Sequence, residues 1–454
     1  MSVSSAIFKA YDVRGVYPDE LDEATAELIG RAFVAYLHGG RLAVGRDMRL
    51  SSNGLSDAFI EGARNQGADI VDYGLVSTDM LYYAVSSNKY DGGAVITASH
   101  NPKQYNGIKL VGRQASALSS DKGISDIRDM IIGNEIPSPV KALGTLSQAQ
   151  LLDQYVAHVL SFIDLSVIRP FRLILDAGNG MAGLAAPRVF DSLPCQSTFQ
   201  CFEIDGTFPN HEANPLIEAN RQDLVSSVLG SQADLGIAWD GDADRCFFVD
   251  GNGDFVPGDF ITSLLAESFL LKHPGSTIVY DVRASHAVPN IVDRHHGNPI
   301  LNRVGHAFFK QRMRETNAAF GGEVTGHYYF RGNDFADNGL IPALLILELM
   351  SNRGLPLSEL LAPLRSRYFI SGEINTALED MSVIPAKLEQ ISAHYADALQ
   401  HRTDGISVEY PDWHFNLRSS NTEPLLRLNL EGKTPQLMAD KRDEVLSLVR
   451  TNGH

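Results

Sequence analysis

Short apolar, β-favouring runs alternate with helix-length amphipathic stretches along the whole chain, the pattern of an α/β architecture with parallel or mixed sheets. Three runs share one form: R-L-A-V-G-R-D from 41, R-L-I-L-D-A-G from 172 and T-I-V-Y-D-V-R from 277. Each is a strand-like segment closed by an aspartate and a turn. Asp47, Asp176 and Asp281 stand at equivalent points, which predicts an α/β unit repeated at intervals of roughly a hundred residues.

Breaks in this pattern set the expected domains. The Gly/Pro-rich stretch at 133–144 reads as a linker, and V-D-G-N-G-D at 249–254 as a turn between domains or strands. After Arg367 the texture changes again, and a helix is predicted over 382–399, opened by a serine with a proline near its first turn. The most apolar stretch, I-P-A-L-L-I-L-E-L-M at 341–350, is far shorter than the roughly 20 residues that span a bilayer, and predicts a core helix. The expected domains are 1–143, 144–250, 251–366 and 367–454.

Composition narrows the function. With 454 residues, 44% of them apolar and 20% charged, the chain has room for several cores and carries no biased segment. A net charge of −17, from 38 basic against 55 acidic residues, argues against a nucleic-acid or membrane-surface binder. An anionic ligand must then be met by a local cluster of basic side chains and N–H groups. The three cysteines, Cys195, Cys201 and Cys246, show no C-x-x-C spacing and predict a reduced, cytoplasmic protein with neither a disulfide scaffold nor a zinc site. The first residues lack the basic and apolar regions of a secretory signal.

Four clusters carry candidate chemistry. In A-D-L-G-I-A-W-D-G-D-A-D-R, Asp240, Asp242 and Asp244 alternate just after a strand, so a loop there can turn three oxygens toward one hard cation, with Mg²⁺ favoured. An EF-hand is excluded, because its glycine position holds Arg245 and its terminal glutamate position holds Gly251. In V-I-T-A-S-H-N-P, Ser99 is placed on an exposed loop at a strand end, where open α/β sheets bind ligands. A serine hydroxyl is a poor nucleophile without help, but a phosphorylated Ser99 would be both a phosphoryl donor and a ligand for the same cation. The loop F-N-L-R-S-S-N-T-E-P offers Arg418, Ser420, Asn421 and Thr422 to a phosphate. In G-G-E-V-T-G-H, Glu323, Thr325 and His327 share one face if the segment is extended, and can hold sugar hydroxyls, touch a phosphate or shuttle a proton.

The bland alternatives are a solvated acidic turn, a helix cap and an Asx turn. A competing motif is D-A-G-N-G-M-A-G at 176–183. It matches the dinucleotide fingerprint through Gly178, Gly180 and Gly183, with Glu203 downstream, and would make the protein an NAD-dependent dehydrogenase. That reading leaves the aspartate trio, the Ser99 loop and the Arg418 loop without a role. A glycine-rich strand-to-helix turn is the preferred reading.

Taken together, K-A-Y-D-V-R-G at the start, T-A-S-H-N-P, Y-N-G-I-K, D-G-D-A-D-R, V-G-H, G-E-V-T-G-H and R-S-S-N-T-E-P resemble the α-D-phosphohexomutase superfamily, in particular its bacterial phosphomannomutase/phosphoglucomutase group. The resemblance covers nearly the whole chain. It implies four domains around a central cleft, the first three sharing a mixed α/β core and the fourth a smaller α+β phosphate-binding domain. It also implies reversible phosphoryl transfer on a small phosphosugar, with phospho-Ser99 as donor, Mg²⁺ on Asp240, Asp242 and Asp244, and a hexose 1,6-bisphosphate as intermediate and activator.

By the same resemblance Arg14, His100, Lys109 and Arg245 line the reacting centre, with Lys109 a candidate for proton transfer. Tyr11, Arg283, His306, Glu323, Thr325 and His327 bind substrate. Arg418, Ser420, Asn421 and Thr422 hold the non-reacting phosphate. Two departures bear on the sugar: Val324 and Thr325 stand where relatives commonly show Met and Ser, and Arg283 where Lys is common. The resemblance leaves phosphoglucomutase and phosphoglucosamine mutase as alternatives, and a phosphatase or a silent binder as rival classes. A monomer or homodimer is expected, without nucleic-acid or membrane partners.

Overall fold

A computed structural model of the protein describes residues 3–378, 380–420 and 425–450. The chain divides into two compact units, Met1–Val256 with Thr325–Leu357, and Pro257–Val324 with Ser358–His454.

The first unit contains two mixed sheets. In the first, Arg41–Arg46 lies parallel to both Asp69–Leu75 and Gly92–Ile96, while Tyr105–Gly112 and Val13–Val16 extend the sheet antiparallel. Leu146–Gln148 adds a parallel edge strand, so the linker-like stretch leads back into this sheet. Helices Glu23–Leu37 and Ser52–Asn65 cover it, burying Ile29, Phe33, Leu55 and Phe59. They cross backbone to backbone: a Cβ on Gly30 would fall 2.3 Å from the Phe59 carbonyl oxygen, and one on Gly62 2.1 Å from that of Glu27. Removing a buried ring such as Phe59 costs about 3–5 kcal/mol in cores of this kind.

In the second sheet, Arg172–Asp176 lies parallel to Gln196–Gln200 and Leu235–Trp239. Leu235–Trp239 then pairs antiparallel with Cys246–Asp250, so residues 240–245 form the connection of a hairpin. The predicted turn at 249–254 likewise joins two strands, Cys246–Asp250 and Phe255–Val256. The apolar stretch at 341–350 is the buried face of helix Leu340–Arg353, as its length predicts. No single helix among the described residues is long and apolar enough to cross a membrane.

In the second unit, Thr277–Asp281 runs parallel to Asn298–Asn302 and Phe320–Gly322. A separate antiparallel sheet, built on Trp413–Ser419 and Leu425–Gly432, packs Phe415, Leu428, Val445 and Val449 into its own core. The helix expected over 382–399 ends earlier, at Ile384–His394, because Leu399–His401 is recruited as an edge strand by Ile406–Glu409.

The repeated strand–Asp–turn form is real at the atomic level. Asp47, Asp176 and Asp281 each accept the backbone N–H two residues ahead, from Arg49 (2.9 Å), Gly178 (2.9 Å) and Arg283 (2.8 Å). An aspartate that bonds its own backbone in this way ends a strand and starts a turn.

Candidate functional site

The Ser99 loop follows the fully buried strand Gly92–Ile96. It turns at once, because Thr97 Oγ1 accepts the Ser99 N–H (3.0 Å) and Ser99 adopts a left-handed backbone, φ 51°. That conformation is rare for a residue with a Cβ and often marks a functional site. Contrary to the expected exposed loop, Ser99 is only 4% exposed, since the hairpin connection 240–245 packs over it. A Cβ at Gly241 would lie 2.5 Å from the Ser99 carbonyl oxygen, so only glycine fits that contact.

Arg49 holds the loop from below. Its guanidinium donates to the carbonyls of Ser99 (2.8 Å), Asn101 (2.6 Å), Pro102 (2.9 Å) and Tyr105 (3.0 Å). Asp47 in turn faces it at 3.2 Å. Sequence reasoning missed Arg49, although the D-x-R signal at 47–49 recurs at 281–283.

Ser99 Oγ donates to Asp240 Oδ2 at 2.8 Å and accepts from Arg245 Nη2 at 2.9 Å. Arg245 also clasps Asp240 through Nε (2.8 Å) and Nη2 (2.6 Å), and reaches His100 Nδ1. Lys109 Nζ, from strand Tyr105–Gly112, bridges Asp242 Oδ2 and Asp244 Oδ2, both at 2.6 Å. Thr78, another residue not foreseen, donates to Asp242 Oδ2 at 2.6 Å. Arg14 is fixed by Asp12 (2.5 Å) and Asn101 Oδ1 (2.7 Å), and Tyr11 is near enough to act on its charge. His327 Nε2 lies 3.5 Å from Asp244 Oδ1, and Thr325 Oγ1 3.4 Å from His327 Nδ1.

The charge balance is tight. Burial, opposed by Arg245, pushes the Asp240 carboxyl up to about 7. Burial and Asp244 disfavour the charge on Asp242, but Lys109 and Thr78 outweigh them and hold it below the ordinary carboxylate range. Burial works against charge on Lys109 as well, yet Asp242 and Asp244 keep it an ammonium, its pKa raised well above the usual. Burial, with Arg245 and Arg14, lowers His100 so far that its ring is neutral.

Asp240, Asp242 and Asp244 are fully buried, and their ligand atoms lie within 4.8 Å of one another. Oδ1 of Asp242 is buried with no hydrogen-bond donor among the described residues, and Oδ1 of Asp244 is faced only at the longer distances of 3.5 Å by His327 Nε2 and 3.9 Å by Arg245 Nε. Carboxylate oxygens left without a close donor in an all-oxygen set suit a hard divalent cation.

In the second unit the predicted residues fall into smaller groups. The Arg283 guanidinium is buried against Asp281 (2.8 and 3.0 Å) and reaches Glu373 (3.3 Å). His306 opens helix His306–Thr316 after Gly305, whose N–H donates to Glu323 Oε1 at 3.0 Å. Asp404 accepts from Arg418 Nε (3.2 Å) and from the Val304 N–H (3.0 Å). Ser420 Oγ accepts from Arg427 (3.2 Å), which also pairs with Glu373 (2.9 Å). Glu373, Asp404 and Arg427 went unread in the sequence. Asn421 and Thr422 lie outside the described residues.

The expected alternation of Glu323, Thr325 and His327 along a strand is not found. Residues 324–326 form a turn with Gly326 at φ 85°, so Glu323 belongs to the second unit and Thr325 and His327 to the first.

Family models for phosphoglucomutase/phosphomannomutase match the chain in four consecutive pieces: α/β/α domain I at residues 5–135, domain II at 153–253, domain III at 257–368 and the C-terminal domain at 373–448. A phosphomannomutase of Escherichia coli is 42% identical, over 98% of this chain and 99% of its own. A protein of Xanthomonas campestris named phosphohexose mutases is also 42% identical, at the same coverage. The crystal structure of a phosphoglucomutase/phosphomannomutase family protein from Burkholderia thailandensis superposes with a TM-score of 0.89 at 34% identity, covering 100% of this chain and 99% of that one.

Proposed function

The chain belongs to the phosphoglucomutase/phosphomannomutase family, and on that premise we propose that it is a phosphomannomutase. It interconverts mannose 6-phosphate and mannose 1-phosphate, and the corresponding glucose phosphates, through phospho-Ser99 and a bound hexose 1,6-bisphosphate. The observation that carries this reading is the Ser99 hydroxyl, buried between the Asp240 carboxylate and the Arg245 guanidinium beside a trio of buried carboxylates.

In the first transfer the bond from Ser99 Oγ to phosphorus breaks as one forms to the free O1 or O6 of the hexose monophosphate. The attacking hydroxyl gives up its proton to a base. After the bisphosphate reorients, its other phosphoryl group returns to Ser99. Arg245, 2.9 Å from Oγ, stabilises negative charge on the serine oxygen as it leaves. Asp240, Asp242 and Asp244 are the residues that would hold Mg²⁺, which when bound neutralises charge on the transferring group.

Lys109 is the proton-exchange candidate; it starts from its acid form and must first give up a proton before it takes that of the attacking hydroxyl, while His100, 3.3 Å from Ser99 Oγ, stands neutral beside the reacting oxygen. Arg14 and Tyr11 complete the reacting side. Arg283, His306, Glu323, Thr325 and His327 read the sugar, and Arg418 with Ser420, Asn421 and Thr422 takes the non-reacting phosphate. Water must be kept from phospho-Ser99, which the 4% exposure of Ser99 favours.

A phosphorus NMR time course tests the reading. Purified protein with Mg²⁺ and a trace of hexose bisphosphate is given mannose, glucose or glucosamine 1-phosphate in separate tubes. Growth of a 6-phosphate signal, fastest with mannose, is expected. Inorganic phosphate alone would make the protein a phosphatase, and a faster glucosamine tube would reassign the sugar.

A further inference from the structure

The motif D-A-G-N-G-M-A-G has no part in the reaction above, yet the structure gives it a defined task. Its Asn179, itself left-handed at φ 57°, donates from its backbone N–H to the Cys201 carbonyl (2.7 Å). Its side chain donates to the Glu203 carbonyl (2.8 Å) and accepts from Asn210 Nδ2 (2.9 Å). The loop thereby brings two distant segments to the end of strand Arg172–Asp176. They deliver Cys201 and His211 to Asp176, with the three ligand atoms within 4.8 Å of one another.

Asp176 and His211 are oriented from outside the cluster. Asp176 Oδ1 is occupied by the Gly178 N–H (2.9 Å), which leaves Oδ2 facing inward. His211 Nδ1 lies 2.9 Å from the Glu212 carbonyl and must donate to it, so its Nε2 points at Asp176 Oδ2, 3.1 Å away. With the ring neutral, that contact would set a nitrogen lone pair against a carboxylate. A proton or a cation has to lie between them. Imidazole anchored through its other nitrogen to a backbone carbonyl is the arrangement of a metal-ligating histidine. Cys201 sits in a left-handed backbone, φ 52°, and like His211 is only partly buried, so an ion can enter from solvent.

A Cys-His-Asp nucleophile is the competing reading. It fails on geometry, because the imidazole nitrogen that would serve the thiol is turned to the carboxylate.

We infer that Asp176, Cys201 and His211 form a second metal site, distinct from the Asp240 trio, that takes one borderline-soft divalent ion such as Zn²⁺ with water completing a tetrahedral set. Sulfur and nitrogen donors separate this site from the all-oxygen trio, which suits a hard cation. Binding forms a metal–thiolate bond, and the thiol proton is released to solvent. The absence of C-x-x-C spacing therefore does not exclude a zinc-type site, because the ligands come from three separate segments.

The test uses Co²⁺ as a spectroscopic probe, added to chelator-stripped full-length protein in excess Mg²⁺ so that the oxygen site is filled. A near-ultraviolet thiolate-to-cobalt charge-transfer band saturating at one ion per chain is expected. Cys201→Ser should abolish the band, Cys195→Ser should keep it, and His211→Gln should weaken binding roughly tenfold or more. Mg²⁺-dependent turnover of Cys201→Ser should equal that of the parent, which also shows that the variant folds. No band in the parent protein, or a band unchanged in Cys201→Ser, would overturn the site. Should Cys201→Ser not fold, undiminished affinity in His211→Gln would do the same.

Discussion

The two units treat charge differently. In the first, Ser99, Asp240 and Arg245 form one triad and Lys109, Asp242 and Asp244 another, and Arg245 Nε, 3.9 Å from Asp244 Oδ1, joins them into one network. In the second, three arginines sit on carboxylates with no nucleophile among them: Arg283 on Asp281, Arg418 on Asp404, and Arg427 on Glu373, which Arg283 also reaches. A shared network fixes reacting atoms relative to one another, which is what phosphoryl transfer demands. Guanidinium groups held on carboxylates, away from any nucleophile, present handles to a ligand. Chemistry and recognition are thus built in different styles, and substitutions in the two units should fail in different ways.

The largest effect is expected at Ser99. Ser99→Ala should lower mutase turnover by roughly a thousandfold or more, as loss of a covalent nucleophile does. Ser99→Gly should be equally inactive but thermally as stable or more so, since glycine relieves the left-handed backbone at φ 51°. Near-normal turnover in either variant would remove the phosphoserine from the mechanism.

Next is Asp242. Asp242→Asn removes a carboxylate from the trio while leaving Lys109 paired with Asp244. Activity should drop by roughly a hundredfold or more, and the stabilisation that Mg²⁺ gives in a thermal melt should disappear. An unchanged Mg²⁺-dependent melt would make the trio an acidic turn with no cation role.

Arg49→Met tests whether position alone matters. The side chain touches carbonyls of the Ser99 loop and no group assigned to the substrate. Turnover should fall by roughly ten- to a hundredfold while KM stays within a few fold. A rise in KM with unchanged turnover would move Arg49 to the binding side.

How much of this was legible in the sequence follows from chain separation. Asp240, Asp242, Asp244 and Arg245 could be read together because one hairpin connection carries them all. Lys109 and Asp242 meet across 133 residues, Thr78 and Asp242 across 164, and only the family resemblance drew Lys109 in. Arg49 and Thr78 looked like ordinary residues after a strand and at a helix start. The burial of Ser99 was hidden for a related reason: the cover over it comes from the next domain's hairpin, which no local pattern announces. Alternation misled at 323–327, where a single left-handed glycine converts a strand pattern into a turn.

In the second unit the expected failure is one of affinity. Arg418→Ala should raise KM by roughly ten- to a hundredfold, the value of a charge-assisted bond to phosphate, and change turnover far less. Arg418→Lys should recover only part, because a point charge does not replace the fork. If Arg418→Ala instead lost turnover at unchanged KM, the division between the units would not hold.

The smallest effect separates burial from function. Asp259, at the start of helix Gly258–Lys272, is buried and pushed up to about 7 by desolvation, against N–H bonds from Ser285 and Phe260, both at 3.0 Å. A carboxyl raised in the folded state binds its proton more tightly there than when unfolded. Its contribution to stability is therefore complete below about pH 4, declines above that and is lost as the pH rises through about 7. Asp259→Asn should flatten the fall in thermal midpoint between those values and leave relative turnover with the two hexose phosphates unchanged. An identical pH slope in the variant would mean that Asp259 is charged throughout, held by groups other than those two N–H donors.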